Sequence, residues 1–330
     1  MLGAAVAVSK WRRAQRALDL GGHVALVTGG SRGLGLLIAR ELGRQGAVVM
    51  LVARDEMELR RAQQDLHARG VEAAYVVADI TDEATAERIV SETITRFGRL
   101  DVLINNAGVI TVGPIDHMSV TDFADAMSTH FWGPLHAMRA AIPFMKQRGG
   151  GRIVNISSIG GRVGVPHLTA YCASKFALTG LSTSLQAELR QHGIFVTTVC
   201  PGLMRTGSPF NARFKGRHRE EFAWFTIADS LPVISIDGRR AAVQVVDAMR
   251  HGDAELIVSW PARVAIAAAA VAPNTVATAM DLTNRLMPSA NGEGEGRSYS
   301  GWQSTSRWAP SALTRLSERS AAANNELPSV

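Results

Sequence analysis

Cysteine is scarce in this chain, because only Cys172 and Cys200 occur among its 330 residues. Two cysteines cannot supply the disulfide framework of a small secreted domain, so they fit buried thiols in a reducing, cytoplasmic compartment. No cysteine and histidine residues have the spacing of a metal site, so we expect no bound metal. The apolar residues 2–8 are few, and basic residues follow them rather than precede them, which argues against a secretory signal.

The chain also lacks an obvious membrane span. A span needs about twenty predominantly apolar residues, and residues 264–280 form an uncharged but shorter run, rich in alanine, that Pro273 interrupts. We expect an apolar hairpin or helix pair there. It could cover the protein's own pocket, contact a dimer partner or rest on a membrane surface between Arg263 and Arg285. A true span is the alternative that its composition favours least.

No strong excess of charge is present, because 35 lysines and arginines face 29 acidic residues, for a net charge of +6. The arginines are scattered, which is typical of a solvated surface rather than of a nucleic-acid interface. With 46% hydrophobic and 19% charged residues the chain has an ordinary globular composition, and its length suits one large domain or two small ones. We expect a homo-oligomer with no nucleic-acid partner.

Short runs rich in valine and isoleucine alternate with segments of helical pattern. Such runs are typical of strands that are buried on both faces of a parallel sheet. Repeated strand–helix units imply right-handed crossovers and a doubly wound α/β fold of three layers, the Rossmann type. Ligands of such folds bind beyond the carboxyl ends of the strands. The predicted strands are residues 23–29, 47–53, 73–79, 101–107, 152–157, 195–200 and 255–259.

This pattern predicts a single domain with extensions. Residues 1–21 are expected to form an N-terminal helical extension, and residues 22–260 the α/β domain, within which residues 207–236 are irregular in pattern. Residues 261–330 would hold the apolar segment and a Gly/Ser-rich tail with a short helix near 310–323, which we expect to wrap the surface or to be partly disordered.

The first predicted strand ends in T-G-G-S-R-G-L-G, residues 28–35. Glycine lets a backbone turn tightly and approach a pyrophosphate, and the N-terminus of the following helix offers unpaired N–H groups. Gly29, Gly33 and Gly35 have the spacing G-x-x-x-G-x-G, which differs from the commoner G-x-G-x-x-G fingerprint. The turn therefore indicates a dinucleotide site, while a glycine-rich turn needed only for packing is the alternative.

Further motifs follow in order, and with them the chain resembles the short-chain dehydrogenase/reductase family. The resemblance covers roughly residues 22–260 and implies a nicotinamide-dependent oxidoreductase that acts on a carbonyl or alcohol. The motifs are T-G-G-S-R-G-L-G at 28–35, Asp79 at the end of the third strand, N-N-A-G at 105–108, Ser158, Y-C-A-S-K at 171–175 and P-G-L-M-R-T at 201–206.

The Y-C-A-S-K stretch supplies the expected chemistry. If residues 170–190 are helical, Tyr171 and Lys175 lie on one face. A lysine ammonium beside the phenol would lower its pKa toward neutrality, and a positively charged nicotinamide ring would add to that effect. Tyr171 would then be the proton donor or acceptor, and Ser158 would hydrogen-bond the reacting oxygen. The resemblance further implies that Lys175 holds the nicotinamide ribose.

The resemblance also implies a set of cofactor contacts. Asp79 matches the family's acceptor for the adenine amino group, although it could equally cap the helix after Thr81. The predicted cofactor residues are Gly29, Ser31, Arg32, Gly33, Leu34, Gly35, Arg54, Asp79, Ile80, Asn106, Ala107, Gly108, Tyr171, Lys175, Pro201, Gly202 and Thr206.

The residues at the end of the second strand favour NADP(H) over NAD(H). Binders of the unphosphorylated form usually place an acid there, which accepts from the ribose 2′-hydroxyl. This chain has Ala53 and then Arg54, while Arg32 stands in the glycine-rich loop. Two guanidinium groups that converge there would bind a 2′-phosphate. Asp55 is close but is better interpreted as the cap of the next helix.

One position departs from the family pattern. His130 stands where the family commonly has an asparagine that kinks a helix and whose main-chain carbonyl holds a water linked to the active-site lysine. The backbone of His130 could preserve this function, its imidazole could titrate and join the proton relay, or it could be a core histidine without a role. All three alternatives stay open from the sequence.

The resemblance implies that residues 22–260 are the dinucleotide-binding and catalytic domain, and that residues 207–236 within it form a substrate lid over the nicotinamide. The lid is rich in aromatic residues, which suggests a bulky lipophilic substrate unless the rings only pack the lid onto the body. The predicted substrate contacts are His167, Leu203, Phe210 and Phe214. The sequence as a whole predicts an NADP(H)-dependent oxidoreductase that interconverts a carbonyl and a secondary alcohol. The alternative is a non-catalytic NADP(H) sensor or scaffold on the same fold.

Overall fold

A parallel sheet of seven strands forms the centre of the molecule. The computed structural model describes residue 11, residues 13–290 and residues 296–327. The strand order is β3-β2-β1-β4-β5-β6-β7, so the α/β doubly wound fold is confirmed, and each strand overlaps a predicted run. The strands are β1 (Val24–Thr28), β2 (Val48–Ala53), β3 (Ala73–Val77), β4 (Val102–Asn105), β5 (Gly151–Ile156), β6 (Ile194–Cys200) and β7 (Glu255–Ile257).

Helices cover both faces of the sheet. Side chains alternate along each strand, so every strand contributes apolar residues to both faces. Ala25 and Val27 of β1 face one apolar core, while Leu26 between them faces the other. The helices are α1 (Gly33–Arg44), α2 (Glu56–Ala68), α3 (Glu83–Phe97), α4 (Val120–Met127), α5 (Gly133–Gln147), α6 (Thr169–Leu189), α7 (His218–Ser230), α8 (Gly238–His251), α9 (Trp260–Val271), α10 (Pro273–Arg285) and α11 (Arg315–Ala323).

The strand order reverses at β1, which pairs with both β2 and β4. The chain leaves β1 toward one side of the sheet and leaves β4 toward the other, so a crevice opens beyond the carboxyl ends of these two strands. The glycine-rich loop after β1 and the N-N-A-G stretch after β4 therefore lie at the mouth of the same crevice.

The aspartates near the strand ends differ in whether they cap a helix. Asp55 caps α2, since its side chain accepts a hydrogen bond from the backbone N–H of Glu58 at 2.9 Å. The proposed capping role of Asp79 is wrong: Asp82 caps α3, while Asp79 accepts from the backbone N–H of Thr81 at 3.0 Å. Asp79 therefore stabilises the turn that precedes α3 and does not cap the helix.

The lid has an apolar core of its own, and two predicted substrate contacts lie inside it. Phe214 is fully buried and Phe210 nearly so. Their rings pack edge-to-face against Phe222, and Phe210 also stacks on Trp302 with ring centroids 4.6 Å apart. The alternative that these rings only pack the lid is therefore the correct one for both residues.

Residues 264–280 form parts of two helices, α9 and α10, so the expected helix pair is present. The helical backbone is interrupted between them at Ala272, and Val264 and Val271 of α9 are exposed. Within the described ranges, no helix is long and apolar enough to cross a membrane. Residues 1–10 and 12 of the predicted N-terminal extension lie outside the described residues, while residues 11 and 13–15 are helical.

The described part of the tail packs onto the body instead of being disordered. The short strand Tyr299–Ser300 pairs with Arg213–Phe214 in the lid. Helix α11 packs against α7, where the Ser317 hydroxyl donates to the buried carboxylate of Asp229. Gly207 lies so close to Ala321 that no side chain fits between them. The described residues after α11 reach the crevice, where Glu326 lines the cavity.

Candidate active site

A cavity of about 630 Å³ opens beyond the carboxyl ends of the central strands. It brings together the four predicted catalytic residues and every predicted cofactor residue except Gly35. The predicted cofactor residues that line it are Gly29, Ser31, Arg32, Gly33, Leu34, Arg54, Asp79, Ile80, Asn106, Ala107, Gly108, Tyr171, Lys175, Pro201, Gly202 and Thr206.

The glycines of the loop after β1 differ in what they do. Gly29 has φ of +62°, and a Cβ there would lie 2.7 Å from the Cα of Ala107, so both its conformation and its neighbour require glycine. Gly33 also has a positive φ and lies on the cavity. Gly35 packs under the loop, where a side chain would collide with the carbonyl of Gly29. Gly35 therefore supports the loop without facing the cavity.

The side chains of Ser158, Tyr171 and Lys175 meet at one end of the cavity. Ser158 follows β5, and its Oγ accepts from the backbone N–H of Gly160 at 3.0 Å, which leaves its own proton free to be donated. The Lys175 ammonium lies 5.7 Å from the centre of the Tyr171 ring and donates to the carbonyl of Ile156 at 2.8 Å. Helical spacing thus places the two residues on one face, as the sequence predicted.

The charges of this cluster differ from the expectation. Burial raises the pKa of the Tyr171 phenol to about 12, although its hydrogen bond with Ser158 opposes the rise. Burial also lowers the pKa of Lys175 to about 7. The expected depression of the phenol pKa is therefore absent in this structure, because removal of the phenol from water outweighs the effect of its hydrogen bond with Ser158.

His130 lies in a π-helical turn, Ser128–Trp132, between α4 and α5. Its Nε2 accepts from the backbone N–H of Val109 at 3.1 Å, so its proton is on Nδ1, which faces the Ser174 hydroxyl at 2.7 Å. That hydroxyl donates to the carbonyl of Tyr171, and the imidazole packs edge-on against the Tyr171 ring. The helix is deformed here as in the family pattern, and both imidazole nitrogens are engaged.

The pKa of His130 lies well below its usual value because the ring is fully buried, and the nearby Lys175 adds to the shift. A neutral ring with both nitrogens bonded holds its neighbours in place and has no lone pair free to carry a proton. The geometry therefore favours a positioning role for His130 over a place in the proton relay.

Replacing His130 with asparagine is expected to leave the shape of the pH profile of turnover unchanged. Turnover itself should fall, because the Tyr171 ring loses its edge contact, but by less than the factor of about 10² or more that follows loss of a proton-transfer group. Steady-state rates between pH 5.5 and 9 measure both effects. A displaced limb of the profile would instead put the imidazole in the relay.

Two arginines stand at the end of the cavity beside Ala53. The Arg32 guanidinium forms an ion pair with Glu58 at 2.7 Å and a longer contact with Glu326 at 3.4 Å. The Arg54 guanidinium is mostly exposed and lies 3.8 Å from the Asp79 carboxylate. Both arginines line the same cavity, and carboxylates already contact both of them, Arg32 more closely than Arg54.

The remaining substrate candidates lie away from this cavity. His167 adopts a left-handed conformation, with φ of +61°, and its Nδ1 bonds the buried Glu221 carboxylate at 2.7 Å beside a second, separate cavity. Leu203 lies in a short strand that pairs with Ser235. The neighbouring Met204 does line the main cavity. Neither His167 nor Leu203 therefore lines the main cavity.

Sequence reasoning missed two carboxylates that line the cavity, Glu58 and Glu326. Glu58 lies in the first turn of α2 and accepts from both Ser31 and Arg32, which its helical position alone does not indicate. Glu326 lies near the end of the chain, where no motif marks it. Only the path of the tail brings it to the glycine-rich loop.

Comparison with known proteins places the chain in a family. The family model described as short chain dehydrogenase matches residues 23–213. A putative ketoacyl reductase from Streptomyces coelicolor is 40% identical over 186 residues, which are 56% of this chain and 71% of that protein. The 3-ketodihydrosphingosine reductase of Mus musculus is 38% identical over 186 residues, 55% of this chain and 56% of that one.

Among solved structures, a metagenomic short-chain oxidoreductase in complex with NADP is similar to this chain. It is 40% identical with a TM-score of 0.54, and the match covers 56% of this chain and 84% of that one. The extent of the family match and the placement of its motifs around one cavity lead to a single assignment. The chain belongs to the short-chain dehydrogenase family of nicotinamide-dependent oxidoreductases, which act on small molecules.

Proposed function

We propose that the protein is an NADP(H)-dependent reductase that converts a ketone on a long acyl or lipid-like chain into a secondary alcohol, or the reverse. The observation that carries this proposal is the convergence of Ser158, Tyr171 and Lys175 at one end of a cavity that the glycine-rich loop also lines. The names of the two relatives, a ketoacyl reductase and a ketosphinganine-type reductase, support a keto substrate.

The cavity fits a dinucleotide in its backbone geometry. Gly29 lets the loop pass directly against Ala107, where a Cβ would lie 2.7 Å from the Cα of that residue, and the loop at residues 31–34 presents the N-terminus of α1 to an anion. In the proposal, Asp79 holds the adenine end, while Pro201 and Thr206 hold the nicotinamide end. When bound in its reduced form, the nicotinamide supplies the hydride.

The protein's own residues handle the proton. Tyr171 donates its phenolic proton to the carbonyl oxygen, and Ser158 donates a hydrogen bond to the same oxygen as negative charge develops. Charged Lys175 stabilises the resulting phenolate. Because burial sets the phenol pKa near 12 in this structure, Tyr171 keeps its proton near neutrality and holds it ready for donation to the carbonyl oxygen.

The preference for NADP(H) rests on the end of β2. Ala53 provides no carboxylate for a ribose 2′-hydroxyl, and the Arg32 and Arg54 side chains line the cavity beside it. A guanidinium matches a phosphate with parallel hydrogen bonds. The similar metagenomic oxidoreductase was solved in complex with NADP, which supports the same choice.

Replacing Arg32 and Arg54 together with alanine is expected to raise the Kd of NADPH strongly and to change that of NADH little. Each charge-assisted contact contributes about 1.5–3 kcal/mol, so the preference between the two nucleotides should fall by more than about tenfold. Titration of nucleotide fluorescence measures both constants, and Arg60→Ala, which removes an exposed arginine of α2, is the control. Equal weakening of both nucleotides would refute the 2′-phosphate assignment.

The substrate end of the cavity is partly apolar, with Val109, Ile110, Met204 and Ala212 on its wall. In the proposal, these residues contact a lipophilic chain, and the buried Phe210 and Phe214 of the lid do not. Long-chain 3-keto thioesters and 3-ketosphinganine-type ketones, followed by the absorbance of NADPH, test the proposal directly. NADPH binding without turnover of any of them would favour the alternative, a non-catalytic NADP(H) sensor.

We further propose a homo-oligomer. Trp132, Phe144 and Phe176 are 46%, 38% and 45% exposed on neighbouring helical segments, and burial of such rings stabilises subunit contacts. A cytoplasmic location is proposed because Cys172 and Cys200 are free and buried. Peripheral membrane contact through residues 264–280 is proposed only as a secondary property of the exposed α9–α10 surface.

A further inference from the structure

The phosphate end of the cavity is occupied by the chain's own tail. The Glu326 carboxylate packs directly on Gly33, where a side chain on the glycine would collide with it. Gly33 is the first residue of α1, so the carboxylate lies at the positive end of a twelve-residue helix. Its side chain is only 4% exposed. A buried carboxyl group therefore lies at the glycine-rich loop, where a pyrophosphate would bind.

The tail is fixed to this place by a set of specific contacts. The backbone carbonyl of Asn324 accepts from the N–H of Gly33 at 2.9 Å. The side-chain amide of Asn325 donates to the carbonyls of Ser31 at 2.8 Å and Glu58 at 3.0 Å. Further bonds join the amide of Asn324 to the Thr206 carbonyl, Arg40 to Asn324 and to the Ala323 carbonyl, Arg61 to Asn325, and Asn211 to Glu326.

These contacts use the groups that a dinucleotide needs. The Gly33 N–H is a donor of the helix N-terminus and already bonds the tail. The Arg32 guanidinium, which the proposed function assigns to the 2′-phosphate, lies 3.4 Å from the Glu326 carboxylate. Neither group can serve the tail and a phosphate in the same geometry.

We propose that the segment Asn324–Asn325–Glu326 is an intramolecular ligand of the phosphate cradle, and that a dinucleotide binds by displacing it. The phosphate cradle is the glycine-rich loop at residues 28–35 with the N-terminus of α1. This inference rests on the proposed function, because it takes the cavity to be the NADP(H) site. The tail then acts as a built-in competitor that sets the apparent affinity for the cofactor. It also ties cofactor binding to release of the chain end from the surface of the loop, α2 and the lid.

The competition has a simple quantitative form. When only a fraction of the molecules has an open cradle, the apparent Kd rises by the inverse of that fraction. A tail that is docked about nine-tenths of the time therefore weakens NADPH about tenfold. Removing the carboxylate should recover this factor.

The protonation of Glu326 favours docking at lower pH. Burial raises the pKa of the carboxyl to about 7, while Arg32 and Asn211 oppose the rise and Glu58 adds to it. An exposed glutamate has a pKa near 4.3. Because the docked state holds the proton more tightly, protonation of Glu326 contributes fully to docking below about pH 4.3. This contribution is lost as the pH rises through about 7.

The test uses the full chain and NADPH as the probe. Glu326→Ala is expected to lower the Kd of NADPH by roughly tenfold, as measured by nucleotide fluorescence at pH 6.5, and the gain should shrink at pH 8.5. Arg319→Ala, at an exposed position of α11, is the matched control and should bind as the wild type does. Unchanged or weaker binding by Glu326→Ala would show that the tail is no competitor.

A second measurement on the wild type needs no substitution. Addition of NADPH should increase amide hydrogen exchange in residues 320–327, because the segment leaves the cradle. Unchanged protection with NADPH bound would mean that tail and cofactor coexist, which overturns the proposal. If neither wild type nor variant binds NADPH or NADH, the proposed function fails and the inference fails with it, whereas binding that Glu326→Ala does not tighten refutes the inference alone.

Discussion

Tyr171→Phe is expected to reduce turnover by about 10² or more, the usual contribution of a positioned general acid, while NADPH binding is retained. The substitution removes only the hydroxyl, so the ring keeps its edge contact with His130. Ser158 still faces the reacting oxygen, but the phenolic proton that the proposal assigns to the transfer is gone. Turnover with a ketone substrate and NADPH titration together separate chemistry from binding.

Tyr75→Phe is the matched control for this experiment. Its hydroxyl bonds the Glu56 carboxylate at the surface at 3.3 Å and neither residue lines the cavity, so its turnover should equal that of the wild type. Activity of Tyr171→Phe within a few-fold of the wild type would refute the assigned proton donor. Loss of NADPH binding along with activity would point to a disturbed cavity rather than to missing chemistry.

Lys175→Met is expected to abolish most turnover and yet to make the protein more stable. Turnover should fall by about 10² or more because the phenolate loses its cation. The lysine is 4% exposed, and burial lowers its pKa to about 7. The folded protein therefore disfavours the charged form that predominates in the unfolded chain. Methionine fills a similar volume without that cost.

The stability gain has a definite pH dependence. A lowered lysine pKa destabilises the fold fully below about pH 7 and not at all above about pH 10.5. The loss of the hydrogen bond to Ile156 offsets part of the gain, at about 1 kcal/mol, so the net change at pH 7 is a gain in stability smaller than the pKa shift alone implies. Denaturant unfolding at pH 7 and pH 9.5 should show a larger gain at pH 7.

Lys146→Met, at an exposed position of α5, is the control and should change neither activity nor the pH dependence of stability. A Lys175→Met protein that is less stable than the wild type at pH 7 would mean that the ammonium is better solvated or better paired than its surroundings in this structure indicate. Retained turnover would remove Lys175 from the proposed mechanism.

The strands, the glycine-rich turn and the Tyr171–Lys175 pair were determined by the sequence itself, because each depends on local spacing. Runs of β-branched residues form buried strands wherever both faces are covered. Two residues four apart share a helix face in any helix. The family motifs lie at the ends of consecutive strands, so a parallel sheet brings them to one edge without further information.

The protonation of the cluster was decided by the tertiary structure. Spacing predicts that Lys175 is near Tyr171, and this proximity is confirmed. It does not predict how deeply both groups are removed from water, and that removal raises the phenol pKa where proximity alone would lower it. The role of His130 was decided in the same way, since the bonds to Val109 and Ser174 come from segments distant in sequence.

The lid and the tail show the same division most clearly. An aromatic residue has the same local pattern whether it faces a substrate or a neighbouring ring, so the sequence could not distinguish these two positions for Phe210 and Phe214. Glu326 reaches Gly33 across almost the whole length of the chain. Local sequence specified the helices and strands here, but long-range packing decided which side chains reach the cavity, because burial depends on neighbours that no local pattern encodes.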